Sequence, residues 1–237
     1  MRTWAESALK TLRGVRGGLL ASLAGLLLLA ALGWSLAQPG LDRTQTLALQ
    51  RYGPSGAEAV AGWRLMLEGA RALPETDQLK AVNDFFNRRL RYASDQAVWG
   101  VTEYWATPLE FLGRGQGDCE DFAIAKYISL LLLGLPPEKL RLIYVRARFG
   151  SVNSTNSEAH MVMGYYADPS GEPLILDSLV GTIRAASTRT DLTPVFSFNT
   201  QGLWVPGAQA PAASDPTARL SRWRDVLDRI RSEGIPL

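Results

Sequence analysis

The stretch GQGDCEDFAIAKYISLLLLG, residues 115–134, decides how the rest of this chain is read. Two glycines and a group of acids open it, and an apolar block from Ile128 to Leu133 closes it at Gly134. A helix is expected to begin near Cys119 and end at Gly134, since Pro136-Pro137 prevents continuation. Its second half has no polar stripe, which implies burial on nearly every side and makes this the central helix. Cys119 is the single cysteine of the chain and stands among Asp118, Glu120 and Asp121. Neighbouring carboxylates raise a thiol pKa and leave the sulfur inert, whereas a helix N-terminus lowers it and makes the sulfur nucleophilic. The two effects oppose each other.

Upstream, AEAVAGWRLMLEGARAL (57–73) and ETDQLKAVNDFFNRRLRY (75–92) follow a short linker and read as two helices parted at Pro74. The second carries Leu79, Val82, Phe86 and Leu90 at helical spacing, a core-facing stripe. Residues 93–117 read as a long ordered loop with one helical turn, whose Trp99, Tyr104 and Trp105 either line a cleft or seal the core. Downstream the period changes. LRLIYVRA (140–147), AHMVMGYYA (159–167) and PLILDS (173–178) are β-rich, the last two separated by the turn DPSGE, and residues 181–205 add a further strand or two. The fold class expected is therefore α+β, a helical N-terminal lobe and an antiparallel sheet packed on the central helix. Residues 206–214 read as a flexible linker, and residues 215–237 as an amphipathic helix capped by Ser214 or Asp215, with Leu220, Trp223, Leu227 and Ile230 on one face, which either docks on the domain or binds a partner or membrane surface.

A chain of 237 residues accommodates one domain of ordinary size with accessory ends. The net charge of +2 is concentrated at the start: Arg2, Lys10, Arg13 and Arg16 face only Glu6, and the remainder is close to neutral. No basic body exists to hold nucleic acid, so a nucleic-acid partner is not expected. One cysteine excludes an internal disulfide. From Leu19 to Ala37 the chain is almost wholly apolar and uncharged, long enough as a helix to span roughly 28 Å. With the basic flank preceding it, the remainder belongs on the far side of a membrane. Residues 1–37 are thus either a signal peptide cleaved after Ala37 or an inner-membrane anchor, and residues 38–205 are the domain.

His160, the only histidine, heads one predicted strand and Asp177 ends the next, so a hairpin can bring imidazole and carboxylate together. Nucleophilic chemistry needs a thiol, a base for its proton and a group that orients the base. A lone Cys or a lone His is more often a packed residue than a catalyst; their occurrence together, in the order helix then sheet, is more specific.

YWATPLEFLGRGQGDCEDFAIAKY, EAHMVMGYY and PLILDSL resemble the bacterial transglutaminase-like cysteine proteinases, over about Asn83 to Leu179, with the Gly-Asp-Cys-Glu-Asp-Phe-Ala block the most specific part. The resemblance implies a papain-like, transglutaminase-like fold and a periplasmic endopeptidase with Cys119 as nucleophile, His160 as general base and acid, and Asp177 as the orienting carboxylate. It implies calcium beside the nucleophile, held by Asp118 and Glu120. It further implies, as substrate, a large repeat adhesin (LapA-like) cut near its N-terminus at adjacent alanines, which frees it from the cell surface and disperses biofilm. The implied regulator is a LapD-type inner-membrane cyclic di-GMP receptor that sequesters the protease. The same residues also suit a transglutaminase-type acyl transferase, and a misaligned site would leave an inactive interaction module.

A divalent cation resolves the opposition around Cys119, since it cancels the carboxylate charge and lets the helix terminus and His160 prevail. Asp118 and Glu120 would lie about 200° apart on a continuous helix, so one ion reaches both only if Asp118 precedes the helical turns. The bland alternative is that Asp118 caps the helix while Glu120 and Asp121 favour its positive end. Because the catalytic domain is read as independent of the apolar segment, a chain beginning at Gln38 is expected to be soluble and active; unfolding of that chain, seen by circular dichroism, would make residues 1–37 a core element.

Overall fold

A computed structural model describes residues 39–150, 156–208 and 210–237. The apolar segment 19–37 expected as signal or anchor lies outside these. Among the described residues no helix is long and apolar enough to cross a membrane.

Helix α1, Pro39–Ala70, begins well before Ala57 and replaces the expected short linker; it is kinked at Gly53, whose φ of 70° and following Pro54 break the regular turn. Helix α2, Glu75–Arg89, starts after Pro74 and buries Leu79, Val82, Phe85 and Phe86, with acids in its first turn and arginines in its last, as the helix dipole favours. The expected loop 93–117 is more regular than its aromatics and glycines suggested. It holds a short helix α3, Asp95–Val98, and helix α4, Pro108–Arg114, which Thr107 and Glu110 start with a reciprocal capping box and Gly115 ends at φ 69°. Two residues on each side, β1 (Arg91–Tyr92) and β2 (Gln116–Gly117), pair in parallel and tie the ends of this segment together.

Helix α5, Cys119–Leu132, is the buried axis. Ile124, Tyr127, Ile128 and Leu130 have no exposed surface, and each such side chain contributes roughly 1.5–3 kcal/mol of burial. Its polar Ser129 is satisfied internally: the hydroxyl donates to the Ala125 carbonyl at 2.7 Å and accepts from the Trp63 indole at 2.8 Å. On its other flank lies a six-stranded antiparallel sheet in the order β6-β5-β4-β3-β7-β8, built from β3 (Leu140–Arg148), β4 (Ser157–Tyr165), β5 (Leu174–Leu176), β6 (Arg184–Ala185), β7 (Leu192–Phe198) and β8 (Leu203–Trp204). Strand β4 packs directly on α5. The turn between β4 and β5 spans residues 166–173, longer than the five expected, because β5 begins only at Leu174.

Residues 206–214 are not a free linker: the N–H groups of Ala212 and Ala213 and the carbonyl of Ala213 bond to Leu203 of β8. Asp215 caps a one-turn 3-10 helix, Pro216–Ala218, and helix α6, Ser221–Ser232, starts later than expected and without a side-chain cap. It docks through Trp223, Val226, Leu227 and Ile230, all buried. The Trp223 indole packs edge-on against Tyr127 and Phe198 and donates to the Asn199 carbonyl at 3.1 Å. Trp223→Ala should therefore cost about 3–5 kcal/mol, read as a lowered urea midpoint. A midpoint unchanged from the unsubstituted chain would show that α6 is an ornament of the fold.

Candidate active site

The site is assembled where the start of α5 meets β4 and the end of β5. Asp118 is the N-cap of α5, with extended backbone at φ −102° and ψ −164°, so it precedes the helical turns and is free of the opposing-face geometry that would separate it from Glu120. Asp121 closes the cap. Its Oδ2 accepts the N–H of Asp118 at 3.3 Å and its Oδ1 accepts the N–H of Ala106 at 2.7 Å. That reach explains Gly117: a Cβ there would stand 2.2 Å from Asp121 Oδ2. Asp121, unlike Asp118, thus spends both oxygens on the backbone.

Cys119 is the first helical residue and is 6% exposed. Its thiol donates to Glu120 Oε2 at 2.7 Å. Burial pushes the thiol pKa far above its ordinary value, the Glu120 carboxylate and then Asp118 push further, and the backbone N–H of Met161 acts weakly the other way. That N–H belongs to the residue after His160, so the sulfur sits against β4. The phenol of Tyr92 also neighbours the sulfur, brought there by the pairing of Tyr92 with Gly117.

His160 lies in β4 opposite Val145 of β3 and is 2% exposed. Its Nε2 bonds Asp177 Oδ1 at 2.8 Å. Asp177, one residue past β5, is held at several atoms. Oδ1 also accepts the Leu179 N–H at 2.9 Å, Oδ2 accepts Arg189 Nη2 at 2.7 Å, and its main-chain carbonyl accepts Asn87 Nδ2 at 2.8 Å and Lys126 Nζ at 3.0 Å. Burial alone would raise the Asp177 pKa, but the hydrogen bond and charge of His160, with those of Leu179 and Arg189, hold it at about 2. Lys126 has no exposed surface, and burial draws its pKa down to about 7 despite Asp177.

A fourth carboxylate, one that no sequence pattern marks, Asp95 at the start of α3, completes an acidic pocket. Ligand atoms of Asp95, Asp118 and Asp121, and of Asp118, Cys119 and Glu120, lie within 4.8 Å of one another in two groups that share Asp118. Asp95 Oδ2 accepts the Tyr104 N–H at 2.5 Å, but its Oδ1 and Asp118 Oδ1 are buried without a partner among the described residues. Burial and the neighbouring acids raise Asp118 to about 9 and, with backbone donors opposing, Asp121 to about 8. Two orphaned buried carboxylate oxygens among hard donors suit an oxygen-seeking divalent ion. No sequence signal marks Asp95, Asn87, Lys126 or Arg189; each arrives through tertiary packing. Tyr104 and Trp105 resolve as structural residues. The Tyr104 hydroxyl donates to Glu110 at 2.9 Å and accepts from Arg229 at 3.0 Å, and Trp105 stacks on Phe198.

A helix-borne cysteine facing a histidine and aspartate on an antiparallel sheet is the arrangement of transglutaminase-like cysteine proteases. The family described as bacterial transglutaminase-like cysteine proteinases matches residues 68–205, and the chain belongs to it. Among solved structures it is similar to LapG from Legionella pneumophila, at 37% identity over 80% of this chain and 97% of that one, with a TM-score of 0.67. An EGTA-treated form of that protein gives a TM-score of 0.69 over 97% of its length, and a calcium-bound form gives 0.67 over 98%. No curated protein matches. The chain is a cysteine protease of LapG type.

The Asp177 pKa has a consequence for stability. The folded value lies below the unfolded one, so ionised Asp177 stabilises fully above about pH 4, and the contribution is lost as pH falls through about 2. The stability difference between the unsubstituted chain and Asp177→Asn should shrink by about 2 kcal/mol between pH 5 and pH 2, measured by denaturant titration at each pH. A difference that is flat over this range would mean that Asp177 is not held ionised.

Proposed function

We propose that this chain is a calcium-dependent periplasmic cysteine endopeptidase that cuts the N-terminal region of a large repeat adhesin, at adjacent alanines, and so releases it from the cell surface. The observation that carries this reading is the bond between the sole histidine and Asp177 at 2.8 Å, on the strand whose next residue, Met161, donates its N–H to the sole cysteine at the head of a buried helix. In this reading Asp177 fixes the tautomer with the proton on Nε2, so His160 Nδ1 takes the thiol proton. The Cys119 sulfur attacks the scissile carbonyl carbon, and the N–H of Cys119, which has no partner within the helix, donates to the oxyanion. The imidazolium then gives its proton to the leaving amine as the C–N bond breaks. Water deprotonated by His160 resolves the thioester and restores the thiol.

Asp118 and Glu120 would hold the calcium, with Asp95 supplying a further oxygen. When bound, calcium supplies positive charge that offsets these carboxylates and so favours the thiolate. Calcium suits this place better than magnesium because an irregular set of oxygens from a loop and a helix start does not make a compact octahedron. Similarity to LapG, solved with calcium, supports the ion and the protease class. The adhesin, the periplasmic location, possible only with an exported chain, and control by a LapD-type cyclic di-GMP receptor are the family's implications carried to this chain.

With an N-terminal adhesin fragment as substrate, Cys119→Ala and His160→Ala should each lower cleavage by about a thousandfold or more, followed on gels. EGTA should inactivate the unsubstituted enzyme, and calcium but not magnesium should restore it. Asp118→Ala and Glu120→Ala should lose both activity and the bound ion, and Asp95→Asn should weaken calcium binding. The ion should also raise the unfolding temperature, because only the folded chain assembles its ligands. Full activity in excess EGTA, with no metal by elemental analysis, would return the carboxylates to helix capping. A product mass equal to two fragments marks hydrolysis, while a cross-linked mass marks acyl transfer.

A further inference from the structure

We propose that Arg189 is a positioning residue that fixes the Asp177 carboxylate for His160, an inference that rests on the catalytic reading of Cys119, His160 and Asp177. Arg189 lies on the crossing from β6, at one edge of the sheet, to β7, beyond β3. A one-turn 3-10 helix, Ala186–Thr188, delivers it, closed by the Arg189 N–H on the Ala186 carbonyl at 3.0 Å. Only 5% of the side chain is exposed.

The guanidinium serves two carboxylates at once. Asp191 grips it side-on, through Nε at 3.0 Å and Nη2 at 2.7 Å. The second hydrogen of Nη2 goes to Asp177 Oδ2 at 2.7 Å. Asp191, Arg189, Asp177 and His160 therefore form a continuous chain of charged hydrogen bonds that runs from the partly exposed rim at Asp191 to the imidazole.

The division of contacts on Asp177 separates holding the backbone from orienting the side chain. Asn87 and Lys126 hold its main-chain carbonyl. Leu179 and His160 share Oδ1, and among the described residues Arg189 alone bonds Oδ2. Without Arg189 the backbone stays pinned and Leu179 still holds Oδ1, but Oδ2 loses its anchor, so the carboxylate plane that aligns Oδ1 with Nε2–H is fixed at one oxygen instead of two. A lysine keeps the charge but cannot engage Asp191 by a fork and Asp177 with the same nitrogen.

His160 being the only histidine, one labelled imidazole reports on this geometry without overlap. The full-length chain, purified without a histidine tag and labelled with nitrogen-15 histidine, is compared with Arg189→Met, Arg189→Lys and Asp191→Asn by NMR and by steady-state cleavage of the adhesin fragment. For Arg189→Met the expectation is a kcat about tenfold to a hundredfold lower, a KM within about twofold, and a His160 Nε2–H resonance moved upfield and broadened by exchange with water. Arg189→Lys is expected between Arg189→Met and the unsubstituted enzyme. Asp191→Asn, which loosens the Arg189 anchor from a partly exposed position, should shift the same resonance in the same direction by less, and it carries the test if Arg189→Met does not fold. An unmoved His160 resonance, with or without a loss of activity, overturns the positioning role, as does a moved resonance with kcat unchanged. Asp177→Asn separates this from the underlying reading: if it cleaves normally the catalytic assignment fails, and if it is inactive while Arg189→Met cleaves normally only the role of Arg189 fails.

Discussion

The burial of α5 is the constraint on which the remainder depends. A helix with no solvent-facing side must also bring its N-terminus inside, where the first N–H groups and the positive end of the helix dipole need internal partners. Acidic side chains answer that need, and the chain places three in four consecutive residues, Asp118, Glu120 and Asp121. Asp121 works as the cap that fixes the preceding loop, reaching back to Asp118 and across to Ala106, with Gly117 leaving room. Once this end is fixed, so is the direction of Cys119. Helix α2 and β4 then both pack on α5, and α6 seats Trp223 against Tyr127 at its middle.

The same burial makes the charge of the site conditional. Glu120 and Asp118 crowd the sulfur with acidic groups that the helix terminus alone does not balance, and Glu120 accepts a hydrogen bond from the thiol. In the proposed function a divalent cation is what turns this arrangement from one that suppresses the thiolate into one that tolerates it. A single loosely built oxygen site thereby couples ion binding to nucleophile state, and the price is an enzyme poorly set up without its ion.

On the sheet side the logic is different. His160 on β4 and Asp177, one residue past the adjacent antiparallel β5, are nearly solvent-free, and every polar atom of Asp177 that could let it turn has a donor. Rigidity here costs little once the sheet exists, because the donors come from α2, α5, the loop after β5 and the crossing before β7, which are already packed. One half of the site is governed by charge and the other by geometry.

The sequence by itself determined the central helix, the order of helices before strands, and which thiol and imidazole are candidates for a reactive pair, since apolar continuity, the change of period and the uniqueness of Cys119 and His160 are local or countable properties. It also determined that Asp118 and Glu120 stand beside the thiol, because they are its chain neighbours. Tertiary structure alone decided the rest. Asp121 reads in sequence like its neighbours, and only the backbone path past Gly117 and Ala106 makes it a cap. Asp95, Asn87, Lys126 and Arg189 sit in unremarkable stretches and reach the site through the β1–β2 pairing, the packing of α2 and α5, and the sheet crossing. Convergence of side chains distant along the chain is set by how elements pack, which no local pattern encodes.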